Sequence, residues 1–437
     1  MPSQHQDSHY CQLRLLLEEV CCDLCLYECV PQDECQVGKV SIDREFYLGI
    51  PGAFADIRVV REGQDAYFVE VKHGYSTTTL LKHLHRKYGP HAPAVRWGKK
   101  LVLVVDLEDR PDWAYLEAEL PRCLAPGLEY EIWDEQRLRT MMQERFQTDL
   151  QAVTAESLVD VRQAIDRAKG FEVFGGSSLD EYEHDTLKAQ LLWHFSSTRL
   201  KQLRKNGRSA PRDIFPPGTY RGVAVLMADL CSFSSYVRDT PDNELIRECL
   251  TSFYSKARYQ IINNGGMFYQ FVGDEVIGLF GVPESDESCA ERALTTALTL
   301  ADIGKSISNH WQGRIDRAQN AAGLHMGLSI GELQIVSLRP FSRTHIGAIG
   351  DCLNVAARLM AIGSQSEIVT SNSFYRRLPE NLQTHFCESE PAEAKNVGRI
   401  KAWKLSAEQR DIAIANRMPH ESAHQPSRLP VAVPHEV

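Results

Sequence analysis

Two stretches decide the reading of this chain: Gly222-Val-Ala-Val-Leu-Met-Ala-Asp229-Leu-Cys-Ser-Phe-Ser234 and Met267-Phe-Tyr-Gln-Phe-Val-Gly273-Asp274-Glu275-Val-Ile-Gly-Leu-Phe280. Each is an apolar strand that ends in, or meets, an aspartate. An aspartate closing a buried strand, followed by small residues with backbone N–H groups, suits a metal beside a phosphate. A Gly-Asp turn between two strands supplies a second carboxylate. The expectation is that Asp229 and Asp274 hold two divalent metal ions on a nucleoside triphosphate, with the Leu230 carbonyl as an extra ligand. The plainer readings are a helix cap for Asp229 and a turn residue for Asp274.

The 437 residues leave room for two or three domains. Hydrophobic residues at 43% and charged residues at 24% are ordinary soluble composition. A formal net charge of -10 argues against a polyanion binder as a whole, although a local basic face stays open. No apolar run approaches the roughly 18 residues that span a bilayer. The first residues lack a basic segment followed by an apolar one, so no signal peptide is read. A cytoplasmic protein without a membrane partner is expected. Six of the 12 cysteines fall in the first 35 residues. In a chain of this length they point to reduced thiols rather than a disulfide framework. Cys21, Cys25 and Cys29 lack the paired spacing of a zinc site, and LCLYECV around them reads as a buried strand.

Four segments follow from the patterning: an α/β domain over 1–150, a helical linker over 151–218, a second α/β unit over 219–406 and a disordered tail over 407–437. In the first, a helix from Cys11 to Val20 precedes three strands, a helix from Thr77 to Lys87, an apolar strand Lys100–Val105, another helix and a strand at Tyr130–Asp134. Period two puts Glu70 and Lys72 on one face. This order resembles the PD-(D/E)XK restriction-endonuclease-like fold. The resemblance implies a possible second site with Asp56 and Glu70 on a divalent metal, Lys72 activating water, and Glu18 or Glu19 as an accessory acid. Alanine (Ala55) stands where that family usually has proline. The alternative is a sensor or dimerisation domain, meeting nucleic acid, a phage component or a protein, in which Glu70 and Lys72 form a solvated surface pair. In the linker, one helix ends at Gly170 and a second runs over 179–205.

Over residues 220–405 the chain resembles class III adenylate/guanylate cyclases. Five segments carry the resemblance: Ala228–Ser234, Phe271–Asp274, Gly327–Gly331, Ile349–Arg358 and Lys395–Lys404. It implies a ferredoxin-like α+β domain that cyclises a nucleoside triphosphate, with two Mn2+ or Mg2+ ions promoting in-line attack of the ribose 3′-hydroxyl. It gives Arg358 the charge of the α-phosphate and Asn354, one helical turn before it, the ribose. Backbone N–H groups of Cys231, Ser232, Phe233 and Ser234 would cradle phosphate. Lys395, with Arg343 as a further candidate, would hold the triphosphate. In this family the aspartates and the Asn/Arg/Lys group come from opposite protomers, so a head-to-tail homodimer with shared sites is implied.

The base pocket departs from the purine pattern. Gln270 stands where adenylate cyclases place lysine, and Gly347 where they place Asp or Thr. That is similar to the stand-alone pyrimidine cyclases of bacterial antiphage defence (Pycsar), which act through a cyclic-nucleotide-activated effector. UTP is the expected substrate, then CTP, with a conventional adenylate cyclase using ATP as the alternative. A metal-dependent nuclease with a cyclase-like sensor domain is the alternative of another class.

Overall fold

The computed structural model describes residues 13–14, 16–25, 40–50, 52–61, 63–106, 112–146, 148–174, 186–205, 211–338, 345–394, 398–406 and 409. The Cys29, Arg343 and Lys395 readings and the tail reading lie outside them, Gln409 apart.

The N-terminal part opens with a helix over residues 16–25 (α1). A five-stranded sheet follows: β1 (Val40–Ile50), β2 (Ala53–Arg61), β3 (Tyr67–Val71), β4 (Lys100–Val104) and β5 (Glu129–Trp133). The strands lie in chain order, antiparallel from β1 to β3 and parallel from β3 to β5. Helices α2 (Thr77–Tyr88) and α3 (Trp113–Cys123) cover one face, and α1, α4 (Glu135–Phe146) and α5 (Ala155–Phe174) the other. Alternation builds both cores: Ile57, Val59, Val69, Val71, Val102 and Val104 meet α1, α4 and α5, whereas Ala55, Phe68, Leu101 and Leu103 meet α2 and α3.

Two readings need correcting. Leu24 and Cys25, which open the LCLYECV stretch read as a strand, are helical, because Leu17, Val20, Cys21 and Leu24 repeat at helical spacing and are buried together; the rest of that stretch lies outside the described residues. The second linker helix is broken into α6 (Thr186–His194) and α7 (Ser197–Lys205). Phe195 turns inward at the break against Phe215, 5.6 Å between ring centroids. Ser196 restarts the helix, its hydroxyl accepting the Arg199 N–H at 3.1 Å.

The C-terminal sheet has the order β12-β13-β11-β9-β6-β8-β7, with β10 beside β9. Its strands are β6 (Gly218–Leu230), β7 (Met267–Val272), β8 (Glu275–Phe280), β9 (Leu324–Leu338), β10 (His345–Ile349), β11 (Ile368–Ser371), β12 (Cys387–Ala394) and β13 (Gly398–Leu405). A short helix, α8 (Phe233–Asp239), follows β6. Ala224, Leu226 and Ala228 pack beneath α9 (Asn243–Asn263) and α10 (Cys289–Ile315). Val223, Val225 and Met227 pack on the opposite face against α6, α7 and α11 (Asp351–Ile362). Gly327 lets α11 press onto β9: a Cβ there would stand 2.1 Å from the Ala356 carbonyl. Among the described residues, no helix is long and apolar enough to cross a membrane.

Candidate active site

Strand β6 is an interior strand of its sheet, paired antiparallel with β8 and β9, and Asp229 stands next to its last residue. β7 and β8 are joined by Gly273 and Asp274 alone, with Val272 opposite Glu275. Gly273 takes the positive φ of 63° that a two-residue hairpin with glycine first requires. Because β8 pairs with β6, this turn comes to lie beside the end of β6. The carboxylates of Asp229 and Asp274 are then within hydrogen-bonding reach of each other, both half-buried. Burial, followed by the hydrogen bond and charge of Asp229, pushes Asp274 up to about 8, although its own N–H and that of Leu230 donate to it. Burial and Asp229 also raise Glu275. Two carboxylates crowded together, with no lysine or arginine hydrogen-bonded or ion-paired to them among the described residues, fit a divalent cation.

Among the described residues no group of three or more His, Cys, Asp or Glu is arranged to hold a metal ion. A two-carboxylate site therefore depends on substrate phosphates, water and a backbone carbonyl such as that of Leu230 for the remaining ligands, the usual situation for Mg2+. When bound, the ions would lower the pKa of an attacking hydroxyl and neutralise phosphate charge.

The phosphate cradle needs one correction. The Cys231 N–H donates to the Gly323 carbonyl at 3.0 Å, because the β6–β9 pairing runs on by one residue. Ser232, in the left-handed region at φ 60°, turns the chain into α8. The N–H groups of Ser232, Phe233 and Ser234 open the first turn of that helix, where helix geometry offers no intrahelical acceptor. Burial pushes the Cys231 thiol up to about 11, so it stays protonated.

Asn354 and Arg358 are exposed on one face of α11. Within a single chain, no hydrogen bond or ion pair joins either of them to Asp229 or Asp274. Gln270 is half-buried on β7, and Gly347 is buried on β10. The Ala348 N–H donates to the Tyr269 hydroxyl at 3.0 Å, so positions 270 and 347 each lie one residue from a contact between β7 and β10, which are not paired in the sheet.

In the N-terminal sheet, Asp56, Glu70 and Lys72 come together, buried rather than solvated. Lys72 Nζ lies 2.6 Å from Asp56 Oδ2 and 2.7 Å from Glu70 Oε2. Lys87 and Tyr88, not singled out in the sequence, donate to Glu70 at 2.8 and 2.5 Å. They close the helix whose buried stripe is Leu80, Leu84 and Tyr88, a signal readable as spacing but not as a destination. Burial opposes ionisation of Asp56, but the charges of Lys72 and Lys87 and donation from Lys72 and Val71 hold it well below the usual carboxylate range. Glu18 adjoins this centre. Burial, then the charges of Asp56 and Glu45, raises it to about 7. Glu19 instead pairs with Arg162 at 3.0 Å.

Residues 215–407 match the family model described as the adenylate and guanylate cyclase catalytic domain. These residues form a class III cyclase catalytic domain. The match begins at the linker and does not reach the N-terminal sheet. The adenylate cyclases of Mycobacterium bovis and Mycobacterium tuberculosis are each 23% identical to this chain over 225 residues, 52% of this chain. The chain spans about half the length of these curated relatives, at 47%. Among solved structures, the guanylyl cyclase Cya2 is 21% identical, with a TM-score of 0.39, over 43% of this chain and 93% of its own. The adenylyl cyclase CyaB of P. aeruginosa is 19% identical, with a TM-score of 0.38, over 43% and 95%.

Proposed function

We propose that the cyclase domain converts a nucleoside triphosphate to a 3′,5′-cyclic nucleotide and diphosphate. The observation that carries this reading is the uncompensated Asp229–Asp274 pair at the end of β6 in a class III cyclase domain. Two Mn2+ or Mg2+ ions held there would activate the ribose 3′-hydroxyl and grip the departing phosphates. Ser232, Phe233 and Ser234 would supply N–H groups to phosphate. Asn354, Arg358 and Lys395 would position the ribose and stabilise the transferring phosphate. The exposure of Asn354 and Arg358 on α11 supports a homodimer in which each site draws on both copies.

ATP is the substrate that the names of the curated relatives favour. Gln270 and Gly347 favour a second reading, a pyrimidine triphosphate, with UTP ahead of CTP and an antiphage signal acting on a cyclic-nucleotide effector. Incubating purified chain with Mn2+ and each of the four triphosphates decides between them. Cyclic AMP as the main product supports the first reading; cyclic UMP or cyclic CMP at tenfold or more over cyclic AMP supports the second.

The restriction-endonuclease-like reading of the N-terminal domain has one supporting observation, the convergence of Asp56, Glu70 and Lys72. The occupation of both carboxylates by Lys72 and Lys87 weighs against a metal there and favours a sensor role.

A further inference from the structure

The two domains touch along helix α9, and the same helix reaches the turn that carries Asp274. Its faces are divided by spacing. Cys249, Phe253, Ala257 and Ile261 are buried in the cyclase core. Lys256, Tyr259, Gln260 and Asn263, at i, i+3, i+4 and i+7, face β1 of the N-terminal sheet. There Lys256 pairs with Glu45, the Gln260 side-chain amide donates to the Glu45 carbonyl, and the Asn263 side chain donates to the Arg44 carbonyl. The Arg44 guanidinium lies 4.2 Å from the Tyr259 ring centroid. Glu45 makes these contacts from the left-handed region, at φ 50°. The remaining stripe, Tyr254 and Arg258, faces the hairpin and α6. Tyr254 stacks on Phe271, with centroids 4.4 Å apart and an interplanar angle of 16°, and its hydroxyl donates to the Gly273 carbonyl. Arg258 caps the C-terminal end of α6 by donating to the Leu192 and Trp193 carbonyls. Trp193 in turn closes edge-on over Phe271.

We propose that Tyr254 is a positioning residue for the metal centre and that the N-terminal domain acts on it through α9. The Gly273 carbonyl belongs to the peptide that leads into Asp274, so the Tyr254 hydroxyl fixes the plane from which that carboxylate projects. Phe271, 41% exposed, is the handle by which the rest of the hairpin is held. A domain that grips α9 at Lys256, Tyr259, Gln260 and Asn263 sets where Tyr254 stands. This rests on the two-metal reading of Asp274.

The test uses the full chain with two variants: Tyr254→Phe, which keeps the ring stack and loses the hydroxyl, and the interface pair Lys256→Met/Asn263→Ala. Amide hydrogen exchange over 271–276 is read without metal, and Mn2+ affinity is read by electron paramagnetic resonance without nucleotide. Tyr254→Phe should speed hairpin exchange and weaken Mn2+ binding by about tenfold, and the interface pair by about threefold. Exchange over 224–228 should stay as in the wild type, reporting an intact core. Combined, the changes should fall well short of their product, because coupled residues are not additive. Single variants within twofold of wild type, or a combined effect equal to the product, would overturn the proposal. Neither readout needs turnover, so a chain that binds Mn2+ this way yet cyclises no triphosphate would sink the functional reading and uphold this one.

Discussion

The chain has two acidic centres, each built on a pair of carboxylates and set in opposite surroundings. In the N-terminal sheet, Asp56 and Glu70 are buried with Lys72, Lys87 and Tyr88 filling their lone pairs. In the cyclase domain, Asp229 and Asp274 face each other half-buried, and the second is pushed up to about 8. A carboxylate out of water needs a cation. The first centre carries its cations on its own chain and is satisfied. Among the described residues the second has no such cation, which is what the proposed metal ions would supply. Aspartates at strand ends are therefore weak evidence alone; what surrounds them decides whether they hold the fold or the chemistry.

This contrast is sharpest when one group is removed from each centre. Lys72→Met leaves two buried carboxylates sharing Lys87, so the N-terminal domain should lose about 3 kcal/mol, read by urea unfolding. Asp274→Asn removes repulsion instead. The folded carboxyl titrates above its ordinary 3.8, so its contribution is present below that pH and lost as pH rises through about 8. At about pH 8.5 without metal, the variant should gain about 1 kcal/mol, after discounting for its partial exposure. Shifts of the same sign in both variants would erase the distinction.

An effect of intermediate size comes from Glu18, the acid linking the N-terminal centre to Arg44 at 3.5 Å. Its folded value of about 7 lies above the ordinary 4.5, so its contribution is full below that value and is lost as pH rises through 7. Wild-type stability should fall by about 2 kcal/mol between about pH 5 and pH 8 on this account. Glu18→Gln should flatten the fall. An unchanged slope in unfolding midpoints would mean that Glu18 does not govern it.

Much of the architecture was legible because it is written locally. Period-two alternation located the strands, and β9 runs over the stretch LHMGLSIGELQIVSL. Asp242, a residue type that favours helix starts, caps α9, its side chain accepting the Glu244 N–H at 2.9 Å. What escaped depends on partners distant in the chain. The break at Phe195–Ser196 follows from packing against Phe215. The Cys231 N–H is taken by Gly323, 92 positions on. Lys87 and Tyr88 reach Glu70 only once α2 has folded back over β3. The proximity of Asp229 and Asp274 needs the β6–β8 register, which neither strand states alone.

The central claim is that the Asp229–Asp274 pair is the metal centre of a nucleotidyl cyclase. It is tested most directly by comparing Mn2+-dependent formation of cyclic nucleotide and diphosphate in the wild type, Asp229→Asn and Asp274→Asn, at equal folded concentration. The account predicts product from the wild type and a loss of about a thousandfold, roughly 4 kcal/mol of transition-state stabilisation, in either variant. Product formation undiminished by either substitution, or none from the wild type with any of the four triphosphates, would contradict it.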